Sequence, residues 1–263
     1  MAPHDLEGKV VLITGATDGL GRGLAREVAA AGGMVLVHGR LQERLEETLA
    51  VLPGARGYRA DLSSLEDVQR LAGEVRDAEP RLDVLVNNAG IGTGERELSQ
   101  DGYELRFAVN YLAGFLLTHE LLPLLQASAP ARIVNVASAG QMPIDFDDVM
   151  LERDYSGVRA YCQSKLAQIM FTIDLAGRLD GKQLTVNALH PATYMPTKMV
   201  SSPISPLSEG VEATFRLVAD PALDGVSGRY FNGLREAAPD PQADDPQARR
   251  QLWELSERLV GAA

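Results

Sequence analysis

Cysteine, tryptophan and histidine are scarce: the chain has one thiol, Cys162, one tryptophan and four histidines in 263 residues. A single thiol excludes an internal disulfide, and no Cys/His cluster has zinc-site spacing, so neither an oxidising compartment nor a metal is required. Positive charge is short as well, with 25 Lys+Arg against 36 Asp+Glu and a formal charge of −11. That balance repels phosphate backbones and anionic membrane surfaces, which argues against nucleic-acid and peripheral membrane partners; an anionic ligand has to be held locally. The start, Met1-Ala2-Pro3-His4-Asp5, lacks a basic region followed by an apolar one. Nor does any run of about 18 apolar residues occur, so a cytoplasmic protein is the expectation. No domain-scale repeat is present. What remains, 45% hydrophobic and 23% charged residues, suits one α/β domain with a sizeable core.

Along the chain, residues 9–14 (KVVLIT) form a short β-branched run without polar alternation, as in a strand buried on both faces of a parallel sheet. Gly15, Gly19 and Gly21 follow at once, then a helical stretch over 20–31 ended by Gly32-Gly33. On its own a glycine triplet is a tight loop; between strand and helix it lets backbone approach a pyrophosphate that the helix N-terminus attracts. The second strand, 34–38, ends at Gly39-Arg40. No acid stands there to hold the adenosine ribose of NAD, whereas Arg40 can clasp a 2′-phosphate. Arg40 could also merely open the helix over 41–52, and Asp18 in the glycine loop has the wrong sign for helping a phosphate.

A third strand, 56–60, runs into Asp61-Leu62, where Asp61 could meet an adenine amine; Ser64 has the position of an N-cap. The fourth, 82–86, leads into Asn87-Asn88-Ala89-Gly90, a turn suited to a cofactor wall or only to local backbone satisfaction. The long apolar helix over 105–125 contains one amide, Asn110, which needs partners whether structural or functional. After the fifth strand, 132–136, Ser138 falls on the edge where open parallel sheets place ligands. Residues 141–157 break the rhythm with Asp145, Asp147, Asp148 and Glu152, whose spacing matches no calcium loop; a solvated insertion beside the active site is expected. Tyr161 and Lys165 stand four apart on a helix, so the phenol and ammonium can meet at one site. A fixed positive charge there favours the phenolate. The sixth strand, 183–189, ends at His190-Pro191-Ala192, with His190 read as structural. Residues 193–207, with Pro196, Pro203 and Pro206, have the composition of a mobile substrate lid. A last strand over 228–231, a linker over 237–246 and an amphipathic helix over 248–260 complete the chain.

In this order the residues resemble one family. Thr14-Gly15-Ala16-Thr17-Asp18-Gly19-Leu20-Gly21, Asn87-Asn88-Ala89-Gly90, Asn110, Ser138, Tyr161 with Lys165, and the proline turn at Pro191 are similar to the motifs of the short-chain dehydrogenase/reductases over residues 8–231. Residues 160–172 (AYCQSKLAQIMFT), the enlarged segment before them and the C-terminal LWELSERL resemble the retinol-dehydrogenase-like, bacterial branch. The resemblance implies a doubly wound parallel sheet (Rossmann-type) in a single domain with a substrate lid at the C-terminal edge. It implies NADP(H) as the preferred cofactor, with NAD(H) as the alternative, bound by Gly15, Thr17, Asp18, Gly19, Leu20, Gly21, Arg40, Asp61, Leu62, Asn88, Ala89, Gly90, Pro191 and Thr193 together with Tyr161 and Lys165. In the catalytic set, Tyr161 would exchange a proton with a carbonyl or alcohol oxygen and Ser138 would hydrogen-bond that oxygen. Lys165 would bond the nicotinamide ribose and lower the tyrosine's pKa, and Asn110 would position water. No metal is implied. The substrate would be a ketone, aldehyde or alcohol, lipophilic or polycyclic if 141–157 and the Met-bearing lid frame a roomy apolar pocket. Imine or enone reduction, a cyclisation, or a noncatalytic NADP(H) sensor would fit the same fold. Ala192 replaces the family's glycine and Thr197 lies one residue later than usual, which weakens the expectation at the nicotinamide end. The family associates through the long helices bearing Asn110 and Tyr161, although members with an enlarged segment here can be monomeric.

Overall fold

Short β-branched runs alternate with amphipathic ones, and in the computed structural model, which describes residues 5–197 and 202–261, they alternate as strands and helices. The first half runs β1 (Val10–Ile13), α1 (Gly19–Ala30), β2 (Met34–Gly39), α2 (Gln42–Ala50), β3 (Arg56–Arg59), α3 (Leu65–Ala78) and β4 (Val84–Asn87). Then come α4 (Leu105–Phe107), a π-helical turn (Ala108–Leu112), α5 (Ala113–Ala127), β5 (Ala131–Val136), α6 (Gly157–Arg178) and β6 (Leu184–His190). The remainder is α7 (Leu207–Ala219), a short 3-10 helix (Pro221–Leu223), β7 (Tyr230–Asn232), β8 (Arg235–Glu236), a second 3-10 helix (Pro241–Asp244) and α8 (Pro246–Val260).

The strands form one eight-stranded sheet in the order β3-β2-β1-β4-β5-β6-β7-β8. All neighbours are parallel except β7 and β8, an antiparallel hairpin edge that the sequence reading did not contain. Strand order reverses between β1 and β4, which is where a doubly wound sheet opens its ligand crevice. Alternate residues serve two cores. Leu12, Leu36, Leu85, Ile133 and Val186 pack toward α3, α5 and α6, while Ile13, Val37, Val86 and Val134 pack toward α1 and α7. Burial of both faces explains why the strands carry no polar alternation.

The stretch Leu105–Ala127 is long and apolar enough to cross a bilayer, yet 61% of its most apolar window is buried inside the fold. The segment 141–157 departs from the expected solvated insertion. Ile144, Val149 and Leu151 are buried, and Gln163 donates to the Val149 carbonyl at 2.7 Å. Gln242 brackets Ile144, accepting its N–H at 2.6 Å and donating to its carbonyl at 3.0 Å. The segment is therefore pinned between α6 and the second 3-10 helix. Its acids do turn work, as Asp148 accepts the Glu152 and Arg153 amides at 2.8 and 3.1 Å. The expected linker 237–246 likewise contains a docked turn, with Ala243 fully buried.

α8 lies across α5 and α6. Trp253 stacks on Phe171 with centroids 5.9 Å apart, meets Phe115 edge-on at 5.3 Å, and carries the Arg178 guanidinium 3.7 Å above its ring. Such contacts add to area burial because ring edges and cations are drawn to the negative π face. Across the lid, Ser205 N–H donates to Thr193 O at 3.1 Å and Ile204 N–H to Tyr194 O at 2.8 Å, so its two ends are tied. Residues 198–201 of the expected lid lie outside the described residues.

Candidate active site

The register of β1, β2, β4 and β5 brings the glycine loop, Gly39-Arg40, Asn87-Asn88 and Ser138 to one sheet edge. Gly15 has φ +64°, and a Cβ on it would lie 2.9 Å from Ala89 Cα; a Cβ on Gly21 would lie 2.3 Å from the Gly15 carbonyl oxygen. Only glycine permits that closeness. The cradle is braced from behind by Thr14, whose hydroxyl donates to Val86 O at 3.2 Å and accepts the Asn88 and Ala89 amides at 2.9 and 3.0 Å. Asn88 Nδ2 donates back to Thr14 O at 2.7 Å, so its amide side chain serves the turn itself. No acid occupies the first turn of α1. Behind its Asp18 cap, a helix N-terminus above a cradle that a Cβ would fill fits a dinucleotide pyrophosphate.

At the adenosine end, a Cβ on Gly39 would come within 2.4 Å of Thr17 Cγ2, so any side chain there, an acid included, would have to displace Thr17. Arg40 is exposed beside it and makes no side-chain hydrogen bond or ion pair among the described residues. Asp18 caps α1, accepting the Gly19 N–H at 2.8 Å, and its other oxygen lies 3.4 Å from Arg44. Its charge is thus partly offset, which motif reading could not show because Arg44 comes from the next helix. Asp61 accepts the Ser63 amide at 3.0 Å and Leu62 is buried behind it.

At the other end, Tyr161 and Lys165 project from consecutive turns of α6, with Lys165 Nζ 5.8 Å from the Tyr161 ring centroid. Lys165 is buried and donates to Val136 O and Gln168 Oε1, both at 2.9 Å. Burial pulls its amine down to about 7. The Tyr161 hydroxyl is pushed above its ordinary value by burial, and its hydrogen bond with Ser138 pulls the other way. In this arrangement the amine is turned toward Val136 and Gln168 rather than toward the phenol oxygen. Ser138 accepts the Gly140 amide at 3.0 Å, and its carbonyl accepts the Tyr230 hydroxyl at 3.0 Å.

Asn110 lies in the π turn. Its Nδ2 donates to Ile91 O at 3.1 Å and Ser164 Oγ at 2.9 Å, while its Oδ1 accepts the Ile91 amide at 2.8 Å. The amide therefore fastens the turn after β4 to the helix carrying Tyr161. A Cβ on Gly90 would lie 3.2 Å from Asn110 Oδ1 and 3.5 Å from Lys165 Nζ, which places these three in one pocket wall. A mostly apolar cavity of about 10 Å³, the size of one water, is lined by Leu62, Val109 and Leu117 as well as by Asn87, Asn110 and Gln168. Pro191 is buried at the end of β6, and His190 Nε2 lies 3.2 Å from Thr193 Oγ1, a tie consistent with a structural histidine. Thr197, despite its shifted position, reaches the cradle: a Cβ on Gly19 would lie 3.1 Å from its Cγ2.

Two further residues support the site, one at each end. Gln168 is one turn beyond Lys165 on the same face, a signal present in the helix period. At the adenosine end, His38 is a lone buried polar residue inside an apolar strand, a signal present in the strand pattern.

The sequence model for short chain dehydrogenase matches residues 9–205. The chain belongs to the short-chain dehydrogenase family. Within that family it is 41% identical to mouse (Mus musculus) retinol dehydrogenase 13 over 98% of this chain and 85% of the relative. Human (Homo sapiens) retinol dehydrogenase 14 is 39% identical, over 98% and 88%. Among solved structures, an uncharacterized protein from Mycobacterium paratuberculosis superposes with a TM-score of 0.83 at 29% identity, covering 99% of this chain and 96% of that one. A short-chain dehydrogenase from Shigella flexneri complexed with NADP has a TM-score of 0.73 at 25% identity, over 88% and 99%. A 3-ketoacyl-(acyl-carrier-protein) reductase from Brucella melitensis complexed with NADH reaches 0.71 at 26%, over 87% and 97%. The protein is accordingly a retinol-dehydrogenase-like oxidoreductase of this family, with a site consistent with carbonyl and alcohol interconversion.

Proposed function

We propose that the protein is an NADP(H)-dependent oxidoreductase that interconverts a lipophilic aldehyde or ketone and its alcohol, with Tyr161 as the general acid and base. The observation that carries the reading is the convergence of Tyr161, Ser138 and Lys165 at the sheet edge beside a glycine cradle. The nicotinamide, when bound, supplies or accepts the hydride. Tyr161 then gives its phenolic proton to the carbonyl oxygen, or takes the alcohol proton in reverse, and the Ser138 hydroxyl donates to that oxygen as charge develops. A phenol raised by burial holds its proton until that oxygen becomes basic. Lys165, which now rests on Val136 and Gln168, would turn toward the ribose and the phenol, replacing those two bonds.

NADP preference is supported by the absence of an acid at Gly39, which Thr17 crowds, by exposed Arg40, and by Arg44 partly offsetting Asp18. A lipophilic substrate is supported by Met142, Tyr194 and Ile204, exposed large apolar residues in the segments that follow β5 and β6. The names of the relatives point the same way.

The test is a panel of polyene, long-chain and short polar aldehydes with NADPH, followed at the nicotinamide absorbance. Turnover is expected with the apolar members and should nearly vanish in Tyr161→Phe, while NADPH still binds. A Tyr161→Phe variant with parental kcat would overturn the assignment of the proton.

A further inference from the structure

We infer that His38 is the positioning residue for the adenosine half of the dinucleotide site, its ring tying the glycine loop to the ends of β2 and β3. The inference rests on the dinucleotide reading above. His38 is the next-to-last residue of β2 and is 2% exposed. Its Nδ1 accepts the Gly15 N–H at 3.1 Å, its Nε2 lies 3.2 Å from Ala60 O, and its own carbonyl accepts the Ala16 N–H at 2.9 Å. A ring nitrogen that faces an N–H must be the acceptor, so the single proton sits on Nε2 and is donated to Ala60.

Each partner leads directly to cofactor-facing chain. Gly15 opens the cradle, Ala60 precedes Asp61 and Leu62, and His38 itself precedes Gly39 and Arg40. One side chain therefore fixes the mutual spacing of the three loops that would hold adenine, ribose and its phosphate. The residue type matters. An asparagine reaches Gly15 with its oxygen but not Ala60, a glutamine reaches Ala60 with its nitrogen but not Gly15, and the imidazole spans both. The ring must also stay neutral, since a protonated Nδ1 would confront the Gly15 N–H. Burial keeps it so, holding the pKa down to about 4 against the pull of Asp61 and Asp67.

The experiment is calorimetric titration of NADPH and NADH into the parent, His38→Phe, His38→Asn and His38→Gln, at a temperature where circular dichroism shows all four folded. His38→Phe is expected to weaken NADPH binding about tenfold, the worth of one lost hydrogen bond to a loop amide. Asn, with its oxygen where Nδ1 stood, should recover most of that loss, and Gln should stay near Phe; a histidine that merely fills the core would not order the variants this way. Independently of how the variants fold, ¹⁵N-histidine spectra of the unliganded parent should show a neutral ring protonated on Nε2. Parental affinity in His38→Phe, Asn no better than Gln, or an Nδ1–H ring would overturn the inference while leaving the parent's NADPH binding intact. A parent that binds neither NADPH nor NADH would overturn the dinucleotide reading, and this inference with it.

Discussion

Lys165 and His38 are both buried bases whose protons are disfavoured by the same cause, removal from water, and they make opposite demands on the protein. Lys165 is useful only if it can become charged when an anion or a ribose arrives, so Lys165→Met should weaken NADPH binding and turnover together; calorimetry paired with kinetics checks this, and loss of rate with full affinity would contradict it. His38 is useful only while neutral. Its folded pKa of about 4 lies below the unfolded value of 6.5, so as pH falls through that window the unfolded chain takes up a proton that the folded chain refuses. Stability is therefore full above 6.5 and declines toward 4, by up to about 3 kcal/mol for a shift of this size. Urea unfolding of the parent at about pH 7 and about pH 4.5 should show the decline, and His38→Phe should lack that part of it. That Tyr161, Lys165 and Ser138 meet at one edge was legible because their spacing is local to one helix turn or one strand end, whereas Asn110 was tied to them in the sequence only through the family resemblance. The direction of Lys165 was not legible, since its partners Val136 and Gln168 come together only when β5 packs under α6.

Between elements, the charge beside Arg40 depends on how Asp18 and Arg44 meet rather than on one residue. Asp18 belongs to the cap of α1 and Arg44 to α2, and both are well exposed, so their attraction is worth at most about 1 kcal/mol. Arg40→Ala should abolish most of the NADPH preference. Arg44→Ala should reduce it slightly by removing one partner of Asp18, and Asp18→Asn should raise it modestly; NADPH and NADH affinities of the three variants decide, and an unchanged ratio in Arg40→Ala would contradict the reading. The strands and helices themselves were readable because each is a contiguous run with one period. Residues 141–157 were not: Ile144, Val149 and Leu151 recur at neither helical nor strand spacing, and their burial depends on Gln163 and Gln242 from elsewhere in the chain. Gln242→Ala removes both bonds to Ile144 and should cost about 2 kcal/mol by chemical denaturation, at roughly 1 kcal/mol per hydrogen bond.

For the molecule as a whole, the parallel sheet followed from alternating β and α runs, whereas the docking of the tail had no signal beyond an amphipathic stripe. α8 spreads Trp253 over Phe115 and Phe171, covering the helices through which the resemblance suggested association. The parent is expected to sediment as a monomer, and a dimer stable at micromolar concentration would show that another face is used. Trp253→Ala should lower stability by about 2 kcal/mol, less than a fully buried tryptophan because the ring is only half-buried. The tail also reaches further in than its surface position suggests. Tyr111, within the π turn beside Asn110, shares a 2.7 Å hydrogen bond with Ser256 of α8, and Tyr103 donates to Leu259 O at 2.9 Å just ahead of that turn. The last helix thus works as a splint along the back of the site: clipping it would take away both of these bonds and loosen the turn that seats Asn110.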